Sequence, residues 1–270
     1  ELLDREAIAD RFPWLAVDDL AIGSFGRSGE GWFDGYALVA GLRRAARALG
    51  ATFIAAEAVG LDRVGNRIEG VRLRDGSTLS CGTLVDAAGP WARQVAGWAG
   101  VDLPVKGHRR TVFGFTTRDA PTDCPLVIDT TGAWFRPEGA GFIAAISPPV
   151  DEDLDGLPLD VDHRLFEERL WPALAARVPA FDALRVTNAW AGYYEMNTFD
   201  RNAILGPHPV VGNLLFANGF SGHGIQHAPA VGRALAELIV HGRYVSLDLS
   251  VFAYDRIAAG RPVLERNVIG

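Results

Sequence analysis

The chain has 270 residues and 29.0 kDa, 49% of them hydrophobic and 22% charged, with a formal net charge of -7. No apolar run approaches the roughly 18 residues that a bilayer-spanning helix needs, and the basic residues are scattered rather than blocked, which argues against a membrane-spanning bundle and against nucleic acid or anionic lipid as partner. The only cysteines, Cys81 and Cys124, lack a C-x-x-C or paired spacing, so neither a disulfide framework nor a thiolate metal site is indicated, and a reducing, cytoplasmic setting is expected.

The opening stretch, ELLDREAIADRFPWL, is helical in period up to Pro13 and reads as the middle of something, so an N-terminally truncated piece is expected. After the Gly-rich segment GSFGRSGEGWFDG, apolar residues at Leu38, Leu42, Ala45, Ala46 and Leu49 predict a helix over Tyr36 to Leu49, stopped by Gly50. Ala51 to Val59 is an apolar, strand-like run. The turn signals Gly65-Asn66 and Asp75-Gly76 then divide two or three short antiparallel strands.

A further strand over Thr83 to Ala87 ends in Ala88-Gly89-Pro90 and passes into a helix start, the geometry of a ligand-binding strand end. Strand signals dominate from Lys106 to about Pro148, which predicts a separate sheet. An acidic loop over Asp151 to Asp162, a helix over Arg164 to Val178 and the strand-like ALRVTNAWAGYYEM follow. The last segment, NLLFANGFSGHGIQHAPAVGRALAELIVHG, reads as strand, Gly-rich turn and long helix. It belongs with the first half, so the first domain is expected to be discontinuous.

The turn GFSGHG allows several readings. A helix N-terminus behind a glycine turn offers unpaired N-H groups to an anion. A dinucleotide fingerprint needs G-x-G-x-x-G, whereas Gly219, Gly222 and Gly224 give G-x-x-G-x-G, and no P-loop is present either. A metal would draw on His223 and His227 with His208, but no H-E-x-x-H accompanies them, and no metal is expected. The glycines can also serve only to turn the chain tightly.

The words around the turn narrow these readings. GFSGHGIQHAPAVG, LVDAAGPWARQVAGWAG, WFDGYALVAGLRRAARALGA and GYYEMNTFDRNAILGPHP occur here in the order and spacing of the D-amino acid oxidase and sarcosine dehydrogenase family of FAD enzymes, which the chain resembles over most of its length. Within it, EGWFD, GPHP and GFSGHGIQHAP resemble the FAD-dependent oxidoreductase domain-containing branch, which includes a complex I assembly protein.

The resemblance implies a mixed α/β chain: a Rossmann-like FAD-binding domain over 31–104 and 206–270, lacking its G-x-G-x-x-G unit, interleaved with an antiparallel-sheet substrate domain over 1–30 and 105–205. It implies FAD as cofactor, bordered by Val59, Ala88, Gly89, Trp91 and the turn Gly219, Phe220, Ser221, Gly222, His223, Gly224 and Ile225. It also implies oxidation of a C-N bond of a small N-methyl or D-amino acid-like amine by hydride transfer to flavin, with His223, Gln226, Glu195 and Tyr194 facing the substrate. With the G-x-G-x-x-G unit that grips the FAD pyrophosphate in that family missing, these residues alone are expected to bind FAD poorly and to be inactive.

Several positions depart from the family pattern. Gln226 stands where the monomeric sarcosine oxidase branch has a carboxylate-binding lysine. Ile143 stands where that branch has an oxygen-activating lysine, and Lys106 is the only lysine of the chain, which favours a dehydrogenase over an oxidase. Tyr193 stands near that branch's flavin-linking cysteine, so non-covalent FAD is expected. Tyr193 and Tyr194 can also be packing residues, Glu195 a solvated carboxylate, and Asp200 and Arg201 either an anchor or a surface ion pair. The same branch leaves open a second role, a flavoprotein-fold scaffold or respiratory-complex assembly factor without catalysis.

Overall fold

A computed structural model of the chain describes residues 1–264. The chain divides into two units, residues 1–34 with 109–192 and residues 35–108 with 193–270. In chain order, strand β1 (Leu2–Asp4) leads directly into helix α1 (Arg5–Arg11), and strand β2 (Ile22–Ser24) pairs back on β1. The expected opening helix is therefore shorter than its period suggests. The Asp4 carboxylate accepts from Ala7 N at 2.9 Å and so starts the helix only there.

Helix α2 (Gly35–Ala48) matches the periodic run, yet none of its residues is buried, and Tyr36, Val39 and Leu42 stand in solvent. The predicted strand over Ala51 to Val59 is corrected: residues 51–57 are irregular and exposed, and strand β3 begins only at Ala58 (Ala58–Val64). Composition alone cannot make a strand. A ladder needs a neighbour to take its hydrogen bonds, and β3 finds one only where strand β4 (Arg67–Leu73) lies opposite. The Phe53 ring is covered instead by the guanidinium groups of Arg43 and Arg47.

Strand β5 (Thr78–Ser80) completes a three-stranded antiparallel sheet, with Gly65 and Gly76 at positive φ in its two turns, as the turn signals imply. Strand β6 (Leu84–Asp86), a single 3-10 turn over Gly89–Trp91 and helix α3 (Ala92–Trp98) follow. Strands β7 (Val105–Thr116), β8 (Val127–Ile128), β9 (Trp134–Glu138) and β10 (Gly141–Ala145) make the expected separate sheet.

The predicted helix over Arg164 to Val178 is interrupted. A single turn, α4 (His163–Leu165), passes through a π-helical stretch at Phe166–Leu170 into α5 (Trp171–Arg177). Pro172 has no N-H to give to the preceding turn, and the wider stretch falls immediately before it. Strand β11 (Arg185–Asn197) closes the five-stranded sheet in the order β11-β7-β10-β9-β8. The chain passes between the units inside β7 and β11.

The core of the first unit is aromatic. Phe181 is fully buried and meets the rings of Phe115, Phe135 and Phe142 at centroid distances of 5.0 to 5.2 Å. Arg177 is buried there too, paired with Asp19 at 2.8 Å and with Asp129 at 2.5 Å.

In the second unit, strands β12 (Ile204–Pro207) and β13 (Leu214–Asn218) join β6 in the order β12-β13-β6, with β13 and β6 parallel. Alternation along these strands sends Ile204, Leu214 and Phe216 into one core with Leu61, Ile68 and Ala96. It sends Leu205 and Leu215 into another core with Val231 and Leu235 of helix α6 (Gly224–His241). Helix α6 ends at Gly242 in the left-handed conformation and contains Pro229. Helix α7 (Asp255–Ala258) carries the buried Arg256.

Candidate functional site

Because β6 and β13 run parallel, both deliver their C-terminal ends to the same edge of the sheet, where α/β sheets hold ligands. Strand β6 ends at Asp86 and continues through Ala88 to Gly89, at φ 56. Strand β13 ends at Asn218 and continues into the turn Gly219–His223, with Gly219 at φ 72, Ser221 at φ 50 and Gly222 at φ 98. Three left-handed residues within four positions make a tight reversal, and Ser221 accepts this conformation without being a glycine.

The end of β11 stitches this turn in place. Glu195 Oε2 accepts from Gly219 N at 3.1 Å and the Glu195 carbonyl accepts from Ser221 N at 3.2 Å. Asn197 N donates to Ser221 Oγ at 3.0 Å, and Ser221 Oγ donates to the Gly219 carbonyl at 3.2 Å. Gly222 lies against the Tyr194 ring so closely that a Cβ there would stand 2.6 Å from it, and one at Gly219 would stand 2.9 Å from Asn197 Cβ. The glycines are thus demanded by space as well as by φ.

Helix α6 opens behind the turn with His223 as its N-cap, and the His223 side chain makes no capping hydrogen bond. The N-H groups of its first turn keep their partial positive charge. The His223 and His227 rings lie parallel, 6.1 Å apart. With Gln226 and Arg201 they border a cavity of about 310 Å³ whose floor includes Leu205, Phe220 and Val231. Among the described residues no acidic side chain lines it.

The structure divides the four residues expected to face the substrate. His223 and Gln226 line this cavity, whereas Tyr194 and Glu195 brace the turn. Ala88 and Gly89 stand at the end of the neighbouring strand, tied to β13 by Asn218 Nδ2, which donates to the Asp86 carbonyl at 2.9 Å. Trp91 is 60% exposed and sits edge-on to Tyr193 at 6.4 Å. Ile225 meets Gly35 at the start of α2. Val59 lies on β3, in the three-stranded sheet.

Asp200 forms a buried ion pair with Arg256 at 2.7 Å, neither on the surface nor with Arg201, whose backbone is left-handed at φ 59 and which borders the cavity. Among the described residues no group of His, Cys, Asp and Glu could hold a metal ion. His208, the third histidine of the metal reading, uses Nδ1 to accept from Val211 N at 2.9 Å.

Two carboxyl groups lie behind the turn, Asp86 buried and Glu195 half-buried. Burial pushes the Glu195 carboxyl up, against the N-H groups of Gly219 and Phe220, which hold it down. Burial pushes Asp86 up to about 7, opposed by the Ala88 N-H and reinforced by the Glu195 charge. Sequence reasoning passed over Asp86 and Asn218. The available signal was a polar residue closing each of two apolar strands, TLVD and LLFAN.

A family model described as FAD dependent oxidoreductase matches residues 1–238. The chain belongs to this family. It is 40% identical to FAD-dependent oxidoreductase domain-containing protein 1 of Xenopus laevis, over 99% of this chain and 60% of that protein. It is 28% identical to mitochondrial dimethylglycine dehydrogenase of Homo sapiens, over 89% of this chain and 30% of that protein. L-proline dehydrogenase from P. horikoshii shares the fold with a TM-score of 0.85 at 24% identity, over 97% of this chain and 70% of that one.

The chain spans about three fifths of the length of the curated relatives it matches. FAD is the cofactor of the family, and the residues present fit such a group: a parallel strand pair ends beside a tight glycine-bearing turn, in front of a helix of 18 residues whose N-cap side chain makes no capping bond. Among the described residues no helix is long and apolar enough to cross a membrane.

Proposed function

We propose that the protein oxidises a C-N bond of a small amine or amino acid, of the N-methyl or D-amino acid type, with FAD as oxidant. The observation that carries this reading is the braced turn Gly219–Gly224 in front of α6, at the shared end of β6 and β13. Bound FAD supplies the acceptor for the two electrons that leave a substrate C-H next to nitrogen. The chain contributes position and charge. The first turn of α6 stabilises negative charge placed against it, and Glu195, Tyr194 and Ser221 hold that turn rigid.

His223 and Gln226 face the cavity, and with Arg201 and His227 they offer donors to a substrate carboxylate. We assign the FAD-binding role to 31–104 and 206–270, of which positions 265–270 lie outside the described residues. The substrate role goes to 1–30 and 105–205. Ile143, buried on β10, supports a dehydrogenase-like outlet over rapid reaction with oxygen. Cys81 and Cys124, both free, support a reducing, cytoplasmic compartment. A small-molecule amine is the partner in this reading, and the names of two relatives, dimethylglycine dehydrogenase and 4-methylaminobutanoate oxidase, support that class.

The test is anaerobic mixing of the FAD-loaded protein with a panel of N-methyl amines and D-amino acids. Bleaching of the flavin absorbance by at least one secondary or tertiary amine is expected. FAD-loaded protein that no amine bleaches overturns the reading. That outcome supports a non-catalytic scaffold or respiratory-complex assembly factor, a role favoured by the commitment of Glu195 to the turn rather than to a ligand.

A further inference from the structure

The cavity beside α6 joins two chemistries. Leu205, Phe220 and Val231 are buried beneath it, and Leu247, Leu249 and Phe252 reach it from the segment that follows α6. Its rim carries Arg201, His223, Gln226 and His227. No hydrogen bond or ion pair among the described residues uses these four side chains, so their donors are left to solvent or to a ligand.

Both parts of the cavity are built. Arg201 sits at φ 59, a left-handed conformation that a residue other than glycine rarely adopts. Its N-H donates to the Asn197 carbonyl at 2.9 Å, and its neighbours Asp200 and Asn202 are buried and held by Arg256, through the Asp200 carboxylate at 2.7 Å and the Asn202 carbonyl at 3.0 Å. With both neighbours tied inward, Arg201 is left exposed at the cavity. The apolar wall is pinned to α6 by Glu237. Its carboxylate accepts from Val245 N at 2.8 Å, Ser246 N at 3.1 Å and Ser246 Oγ at 2.6 Å, immediately before Leu247.

A guanidinium among neutral donors, with no carboxylate in the described lining, selects an anion, and its planar fork matches a carboxylate with two parallel bonds. The apolar floor selects what that carboxylate is attached to. At about 310 Å³ the cavity is roughly twice the size of one that takes up benzene, so a glycine derivative would leave most of its apolar surface uncovered.

We propose that the cavity is a specificity pocket for an amino acid whose apolar side chain is of leucine or phenylalanine size. Arg201 holds the carboxylate, and Phe220, Leu247 and Phe252 cover the side chain. The preferred amine is then an N-methyl or D-amino acid of this kind rather than a glycine derivative. That consequence for the substrate rests on the proposed function, whereas the binding of an apolar carboxylate does not.

The experiment is calorimetric titration of the full chain with acetate, 4-methylpentanoate and the neutral 4-methylpentanamide. The branched carboxylate is expected to bind roughly tenfold tighter than acetate or better, because acetate lacks the carbons that the floor covers. It should also bind roughly tenfold tighter than its amide. Arg201→Gln should abolish the preference for acid over amide, and Leu247→Ser should reduce the preference for the branched acid over acetate. Arg201 and Leu247 are both exposed, so neither substitution opens the core. Equal affinities for acetate and 4-methylpentanoate, no binding of either, or preferences that survive both substitutions overturn the proposal.

The substrate is read separately on the FAD-loaded protein, where anaerobic bleaching by N-methylleucine should be roughly tenfold more efficient than by sarcosine. More efficient bleaching by sarcosine overturns the preferred substrate and leaves amine oxidation standing. Carboxylate binding without bleaching by any amine keeps the pocket and removes the proposed function.

Discussion

Gln226 stands on the rim of the cavity with Arg201, His223 and His227, and among the described residues no carboxylate lines the space. Gln226→Lys places an ammonium there, so the KM for an amine bearing a carboxylate should fall roughly tenfold, the size of one charge-assisted bond of about 1.4 kcal/mol, with kcat little changed. Steady-state kinetics on the FAD-loaded protein check this, and an unchanged KM removes Gln226 from the carboxylate contact. Gly222 is held at φ 98 with the Tyr194 ring where a Cβ would go. Gly222→Ala should therefore cost about 2 kcal/mol in urea unfolding, from left-handed strain and the clash together. The turn and its glycines were legible as a motif, and so was His223. The bracing by Glu195, Asn197 and Ser221 was not, because these bonds join residues about 24 positions apart, between β11 and the turn after β13, and no local pattern encodes such a pairing.

At the level of elements, legibility followed locality. Helix α6, the hairpin turns at Gly65 and Gly76, and the strands of the five-stranded sheet announce themselves by period and turn residues. Residues 51–57 do not become a strand, because no strand among the described residues pairs with them, and the helix over Arg164 to Val178 is interrupted before Pro172. Helix α7 is too short to be read from the sequence, yet its Arg256 holds the chain around it. The guanidinium is 6% exposed and bonds Asp200 at 2.7 and 3.0 Å, together with the carbonyls of Asn202, Ala203 and Phe252. Burial would raise the Asp200 carboxyl, but Arg256 and the Val263 N-H outweigh it and hold the group below its ordinary value. Arg256→Ala leaves this carboxylate buried and unpaired, and should destabilise the chain by about 3 to 5 kcal/mol, measured by chemical unfolding at pH 7. A loss under 1 kcal/mol would show that Asp200 finds another partner.

Across the whole molecule, each of the two units is assembled from two separate stretches of chain. The presence of FAD chemistry was legible through family motifs, whereas the cavity beside α6 was not, since Arg201, Phe252 and Leu249 reach it from distant positions in the chain. Helix α2 has a colloidal consequence. It offers Tyr36, Val39 and Leu42 to solvent on a molecule whose net charge of -7 keeps copies apart by mutual repulsion. Salt shortens the reach of that repulsion to a few ångströms, and sulfate also drives apolar faces together. Light scattering from the 270-residue chain should therefore rise with added ammonium sulfate well before the protein unfolds. Leu42→Glu, on the exposed face of α2, should delay the onset. An onset unmoved by that substitution would place the sticky surface elsewhere.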